Sequence, residues 1–127
     1  MSVITIAQKH NHIIKLDKAR ELLPLIIKIT KYYSERVNRL IENLENIDIE
    51  DVEFANTLED QLNSSIRTWY QKMNRLGTKP KGLWIIEFDF GSGYLCWKYP
   101  EEDILYWHSY NCGYKERILI ENQKHFL

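Results

Sequence analysis

Apolar residues recur through the first half of the chain at steps of three and four: Ala19, Leu22, Leu23, Ile26, Ile29, Tyr33, Val37, Leu40, Ile41 and Leu44. That spacing aligns them on one face of an amphipathic helix of about eight turns. Asp17 stands where its carboxylate can cap the free N–H groups of the first turn. Pro24 conflicts with this pattern, since it lacks an N–H and crowds the preceding turn. It predicts a kink there, or a helix that starts nearer residue 21. Asn46-Ile47-Asp48 breaks the run, and Asp48 is the expected cap of a second helix whose first turn, with Glu50 and Asp51, is acidic. The second seam is Ala55, Leu58, Leu62, Ile66, Trp69, Met73 and Leu76. Gly77 ends it and Pro80 forbids continuation. Two long helices on a short connection lie antiparallel, as a hairpin about 40 Å long.

The period then changes from helical to two. Trp84, Ile86, Phe88 and Phe90 fall on one face of a strand, with Leu83, Ile85, Glu87 and Asp89 on the other. Gly91-Ser92-Gly93 is a tight turn, Tyr94–Tyr99 the return strand stopped by Pro100, and Ile104–His108 a third strand. Ile118-Leu119-Ile120 is a candidate further edge ahead of a polar tail. Residues 1–12 read as a short extension, and Ile13–Leu16 as either a brief strand or the lead into the first helix. The expected architecture is one α+β domain over residues 1–127. It comprises an extension (1–16), a long antiparallel helical hairpin (17–77) and a three-stranded antiparallel β-meander (82–120).

Composition narrows the field only a little. The 127 residues carry 17 basic and 18 acidic side chains, for a formal charge of −1. This excludes a wholly disordered or low-complexity chain and gives no global attraction to nucleic acid or anionic membranes. No secretory signal or span of the roughly twenty apolar residues a membrane crossing needs is visible, and two cysteines are too few for a disulfide framework. The expected setting is the reducing cytoplasm.

The distribution of charge says more than its sum. Every charged residue between Arg39 and Arg67 is acidic: Glu42, Glu45, Asp48, Glu50, Asp51, Glu53, Glu59 and Asp60. Lys15, Lys18, Arg20, Arg67, Lys72, Arg75, Lys79 and Lys81 gather at the opposite end. The hairpin is thus a rod with an acidic tip and a basic base. Such a rod is either solvated at both ends or suited to self-association in which tip meets base. Ten rings (Trp84, Phe88, Phe90, Tyr94, Trp97, Tyr99, Tyr106, Trp107, Tyr110 and Tyr114) also crowd one short stretch. A hairpin covers only one face of a sheet, so the pattern predicts surplus aromatic surface and a homodimer or protein partner to cover it.

Candidate chemistry centres on His108, beside Trp107 and within cross-strand reach of Asp89 or Glu87. A carboxylate that fixes a histidine tautomer frames general-base chemistry, whereas a structural histidine bonds a backbone carbonyl. Glu87 and Asp89 share a strand face about 7 Å apart. They belong to the solvated face, pair with Lys98 across the hairpin, or divide acid and base roles. Cys96, His108 and Cys112 with His10 or His12 are zinc-ligand types but lack zinc-site spacing, so no metal and no cofactor is expected. Arg67, Trp69, Tyr70, Lys72 and Arg75 interleave basic and aromatic residues, yet Trp69 belongs to the apolar seam and acidic residues follow, which argues against nucleic acid.

Leu95-Cys96-Trp97-Lys98, Tyr106-Trp107-His108 and Gly113-Tyr114-Lys115-Glu116-Arg117 together resemble a pattern of a bacterial family of uncharacterised proteins, catalogued as domain of unknown function 2203. Leu16–Pro24 is similar to that family's first-helix start, and Asp89-Phe90 to the pair that precedes its cysteine strand. The resemblance implies a helical hairpin ahead of the motif and supplies no activity. Two readings of function remain. One is a non-enzymatic module that self-associates, or binds a protein, through its helices and aromatic sheet. The other is a binding or catalytic pocket for a small anionic ligand, lined by Trp97, Tyr106, Trp107, His108, Tyr114 and Arg117, with Asp89 orienting His108.

Overall fold

A computed structural model of the protein describes residues 13–127, and both periodic segments are helices in it. The part of the expected extension before residue 13 lies outside the described residues. Helix α1 (Leu16–Glu45) runs without interruption through Pro24, so it neither starts late nor ends there. Pro24 lies on the exposed side, where the carbonyl one turn back that loses its donor can be served by water. Asp17 is not the cap. It sits inside the first turn, and its carboxylate accepts from the Lys18 N–H. Helix α2 (Val52–Arg75) is capped by Asp51, whose side chain accepts from the Phe54 N–H at 3.2 Å. Asp48 instead shapes the turn before it, accepting from the Glu50 N–H. Two acidic residues three apart compete for one cap, and the nearer one takes it.

Two side-chain bonds fix the pairing of the helices. The Trp69 indole N–H donates to the Thr30 hydroxyl at 2.9 Å, and Arg36 Nε donates to the Ser65 hydroxyl at 2.9 Å. As the α1 partner advances, the α2 partner recedes, so the helices are antiparallel. These bonds also explain why Thr30 and Ser65, polar by type, are buried in the seam while Ile41 is not.

The sheet is an all-antiparallel meander of five strands in chain order: β1 (Lys79–Pro80), β2 (Ile85–Asp89), β3 (Tyr94–Lys98), β4 (Tyr106–His108) and β5 (Ile118–Leu119). The three expected strands form its centre. Two-residue edges flank them: β5 where the further edge was anticipated, and β1 at Lys79-Pro80, too short for periodicity to reveal. Residues 86 and 88 of β2 oppose 97 and 95 of β3. These four side chains face the helices and join Leu16, Ala19, Leu23, Ile26, Trp69 and Met73 in one core. Trp84 precedes β2 in a left-handed conformation (φ 69°) that sets its ring edge-on to Trp69 at 4.9 Å. The tail is not simply polar, because Phe126 folds back into this core. Among the described residues no helix is long and apolar enough to cross a membrane.

Gly93 marks the tightest point of the sheet. A Cβ there would stand 2.7 Å from the His108 carbonyl oxygen, a backbone atom that cannot swing aside. Gly93→Ala is expected to cost about 1–3 kcal/mol of stability by forcing β4 away from the β2–β3 turn. Denaturant unfolding of the variant against the unaltered protein checks this.

Candidate functional site

Alternation along β2, β3 and β4 sends every second side chain to the face turned away from the helices. Glu87, Cys96 and Tyr106 form one rung across that outer face, and Asp89, Tyr94 and His108 the next. Of the expected site residues, Asp89, Tyr106, His108, Tyr114 and Arg117 therefore come together here. Trp97 and Trp107 do not. Each sits one residue out of phase, so both point to the helix side. There Trp97 is fully buried and its indole N–H donates to the Glu101 carbonyl at 2.8 Å.

His108 is 1% exposed and its partner is Glu87, not Asp89. Nδ1 lies 2.9 Å from the Ser109 carbonyl, and Nε2 lies 2.8 Å from Glu87 Oε2. A carbonyl can only accept, so Nδ1 carries a proton. A second proton must lie between Nε2 and the carboxylate, since otherwise two lone pairs would face each other. The pair is thus neutral overall and shares that proton. The other oxygen, Glu87 Oε1, is buried with no partner. Glu87 itself is 4% exposed, so the solvated-face reading of this residue does not hold. Small Cys96 between the two strands leaves room for the contact across β3.

Arg117 seals the neighbouring part of the face. Its guanidinium carbon lies 4.1 Å from the centre of the Tyr106 ring and 4.2 Å from that of Tyr114. Its two terminal nitrogens donate to Glu101 Oε1 and Oε2 at 3.0 and 2.6 Å. Burial works against its charge, but the two bonds to Glu101 outweigh that and raise its pKa. Asp89 is likewise occupied. It accepts from the Tyr110 hydroxyl at 2.7 Å and from the Gly91 N–H at 3.0 Å, and the first bond pushes the Tyr110 phenol up to about 12. Tyr94 lies edge-on to Tyr110 and against His108, with Lys79 over its outer side. Burial pushes the Cys96 thiol up to about 11, with Arg117 only partly opposing it, so this cysteine is a packed thiol rather than a nucleophile.

Two cavities stand out, and neither is lined by His108 or Arg117. One, of about 340 Å³, is bounded by Leu25, Lys28, Ile29, Tyr32, Tyr33 and Lys72 on the helices. The other, of about 230 Å³, is bounded by Phe90, Ser92, Trp107, His125 and Phe126. Among the described residues no three His, Cys, Asp or Glu side chains are grouped so as to hold a metal ion.

The model of the family described as "Uncharacterized conserved protein (DUF2203)" matches residues 12–120. The chain belongs to this family. No curated protein and no solved structure matches it. In this DUF2203 chain the most specific stretch of the motif, Leu95 through Arg117, builds the outer face just described. Glu101, the partner of Arg117, was not singled out from sequence. No spacing ties it to Arg117, and it reads as one of three successive acidic residues. Glu87 was the better signalled of the two, because an acidic residue at the centre of an apolar strand calls for a buried partner.

Two outcomes test this arrangement. Glu87→Leu or His108→Leu alone leaves a buried polar group unpaired and is expected to cost about 3–5 kcal/mol, whereas the double replacement recovers most of that loss. Glu87→Gln, whose amide can donate to Nε2, is expected to be far milder than Glu87→Leu. Denaturant midpoints for the four variants decide. At pH 8 a thiol reagent is expected to modify exposed Cys112 in the folded protein, and Cys96 only after unfolding. Mass spectrometry reads the number of modified thiols.

Proposed function

We propose that the protein is a non-enzymatic, cytoplasmic self-association module, and that its contact surface is the helical hairpin rather than the sheet. One observation carries this reading: an exposed apolar tip embedded in acid matches an apolar groove flanked by lysines. Ile49, Val52 and Phe54 at the tip are 91%, 61% and 50% exposed. Asp48, Glu50, Asp51 and Glu53 surround them. The groove is the larger cavity, where Leu25, Ile29 and Tyr32 are flanked by Lys28 and Lys72. It lies about 28 Å down α1 from the tip, at 1.5 Å per residue. A tip therefore reaches the groove of a second copy, not its own. Complementary charge orients such an encounter, and burial of the apolar residues holds it. Free Cys96 and Cys112 support a reducing compartment.

The aromatic sheet supports association less than its composition implies. Of the ten rings only Tyr110 is exposed; the rest are buried or half-buried within one copy. A ligand pocket at His108 and Arg117 is the weaker reading, because both ring nitrogens of His108 and both ends of the Arg117 fork already have partners.

Sedimentation velocity at tens of micromolar in low salt is expected to show a dimer or larger species that weakens as salt rises. Lys28→Glu with Lys72→Glu is expected to weaken association at least tenfold, about 1.4 kcal/mol, and Glu50→Lys with Glu53→Lys on the same chain to restore it. A monomer under all these conditions overturns the reading.

A further inference from the structure

The start of α1 has no side chain to cap it, because Lys15 precedes the helix without such a bond. First-turn N–H groups find no acceptor inside a helix, so one must come from elsewhere. Here the Leu16 N–H donates to the Phe126 carbonyl at 2.7 Å. That carbonyl belongs to a strap, residues 121–127, which also receives a bond from Arg20 to Gln123 at 3.0 Å. The Phe126 ring packs against Phe90 and Trp107, with ring centres 5.0 and 5.7 Å away, and those two rings also meet edge-on at 6.1 Å. Every other residue of the strap is exposed. The second cavity, about 230 Å³, opens beside the ring and includes Ser92 and His125. Among the described residues the strap is therefore held by one ring, one carbonyl and one exposed side-chain bond. The family match stops at residue 120, ahead of the strap, while the residues that build the slot lie within it.

We propose that this slot is a peptide-binding site, occupied in cis by Phe126, which closes the short 3-10 turn Gln123–His125, and that it takes an aromatic residue closing a similar turn on another chain. The recognition chemistry is already on display: Phe90 and Trp107 present a shared aromatic surface to the ring, and the Leu16 N–H donates to the carbonyl of the same residue. Tethering gives the cis occupant a high effective concentration, so a segment from another chain enters only when Phe126 is absent or has swung out. The site does not depend on hairpin association. It lies at the opposite end of α1 from the tip and uses none of the residues named there.

The test uses the full chain carrying Phe126→Ala and a synthetic peptide of residues 121–127. The peptide is expected to shift the Leu16 amide and Trp107 indole signals in NMR spectra, and a peptide with Ala for Phe126 to bind at least tenfold more weakly. Absence of those shifts at millimolar peptide, or equal binding of the two peptides, overturns the proposal. Should the variant fail to fold, hydrogen exchange on the unaltered chain decides. The Leu16 amide is expected to exchange through local opening, faster than the Phe88 and Leu95 amides. Exchange of Leu16 at the rate of those central-strand amides overturns it.

Discussion

A single sheet with helices on one side has a second face that no other element among the described residues covers, and this constraint shapes most of what the chain does between Glu87 and Arg117. The hairpin supplies one layer, which buries Ile86, Phe88, Leu95 and Trp97 against Trp69 and Met73. The outer face is closed by its own side chains. Glu87 Oε2 and His108 Nε2 pair across β3, and Arg117 lies between Tyr106 and Tyr114 while Glu101 holds its charge. Flat rings cover area with few rotatable bonds, and the rotamer freedom lost in ordering the long Arg117 side chain is offset by its two bonds to Glu101. On a face closed in this way, both ring nitrogens of His108 and both ends of the Arg117 fork already have partners within the chain.

The consequence for function is a change of place. Aromatic composition alone points to a sticky sheet, but the large apolar residues that stay exposed in the described structure include Ile49, Val52 and Phe54 at the hairpin tip and Leu25 and Tyr32 along α1. Charge follows the same axis, acid at the tip and lysine by the groove. The hairpin is thus where exposed apolar side chains coincide with patterned charge, although Leu83, Leu105, Ile118 and Leu119 also stay exposed on the sheet side.

The helices were legible because their seams run for many turns, and a long periodic signal survives local exceptions such as Pro24 and Thr30. The caps were less so. Asp17 and Asp48 have the right chemistry at nearly the right place, but a second acidic residue nearby, Asp51, caps one helix and a distant group, the Phe126 carbonyl, serves the start of the other. Period two separated the faces of β2, β3 and β4 correctly, and the same rule taken one step further sends Trp97 and Trp107 away from His108. Grouping residues by nearness in sequence hid that. What could not be read was the choice between distant partners: which of Glu87 and Asp89 meets His108, that Glu101 meets Arg117, and that Phe126 meets the start of α1. Such contacts depend on register and on the path of loops, which no local pattern encodes.

The account turns on the outer face being closed within one copy, and the state of His108 reports on that most directly. Long-range proton–nitrogen NMR of the imidazole should reveal a slowly exchanging proton on Nδ1, held by the Ser109 carbonyl, together with a proton in the contact between Nε2 and Glu87. An imidazole with a bare Nδ1, or one whose protons exchange as fast as those of the exposed His125, would mean that the face is open and the account wrong.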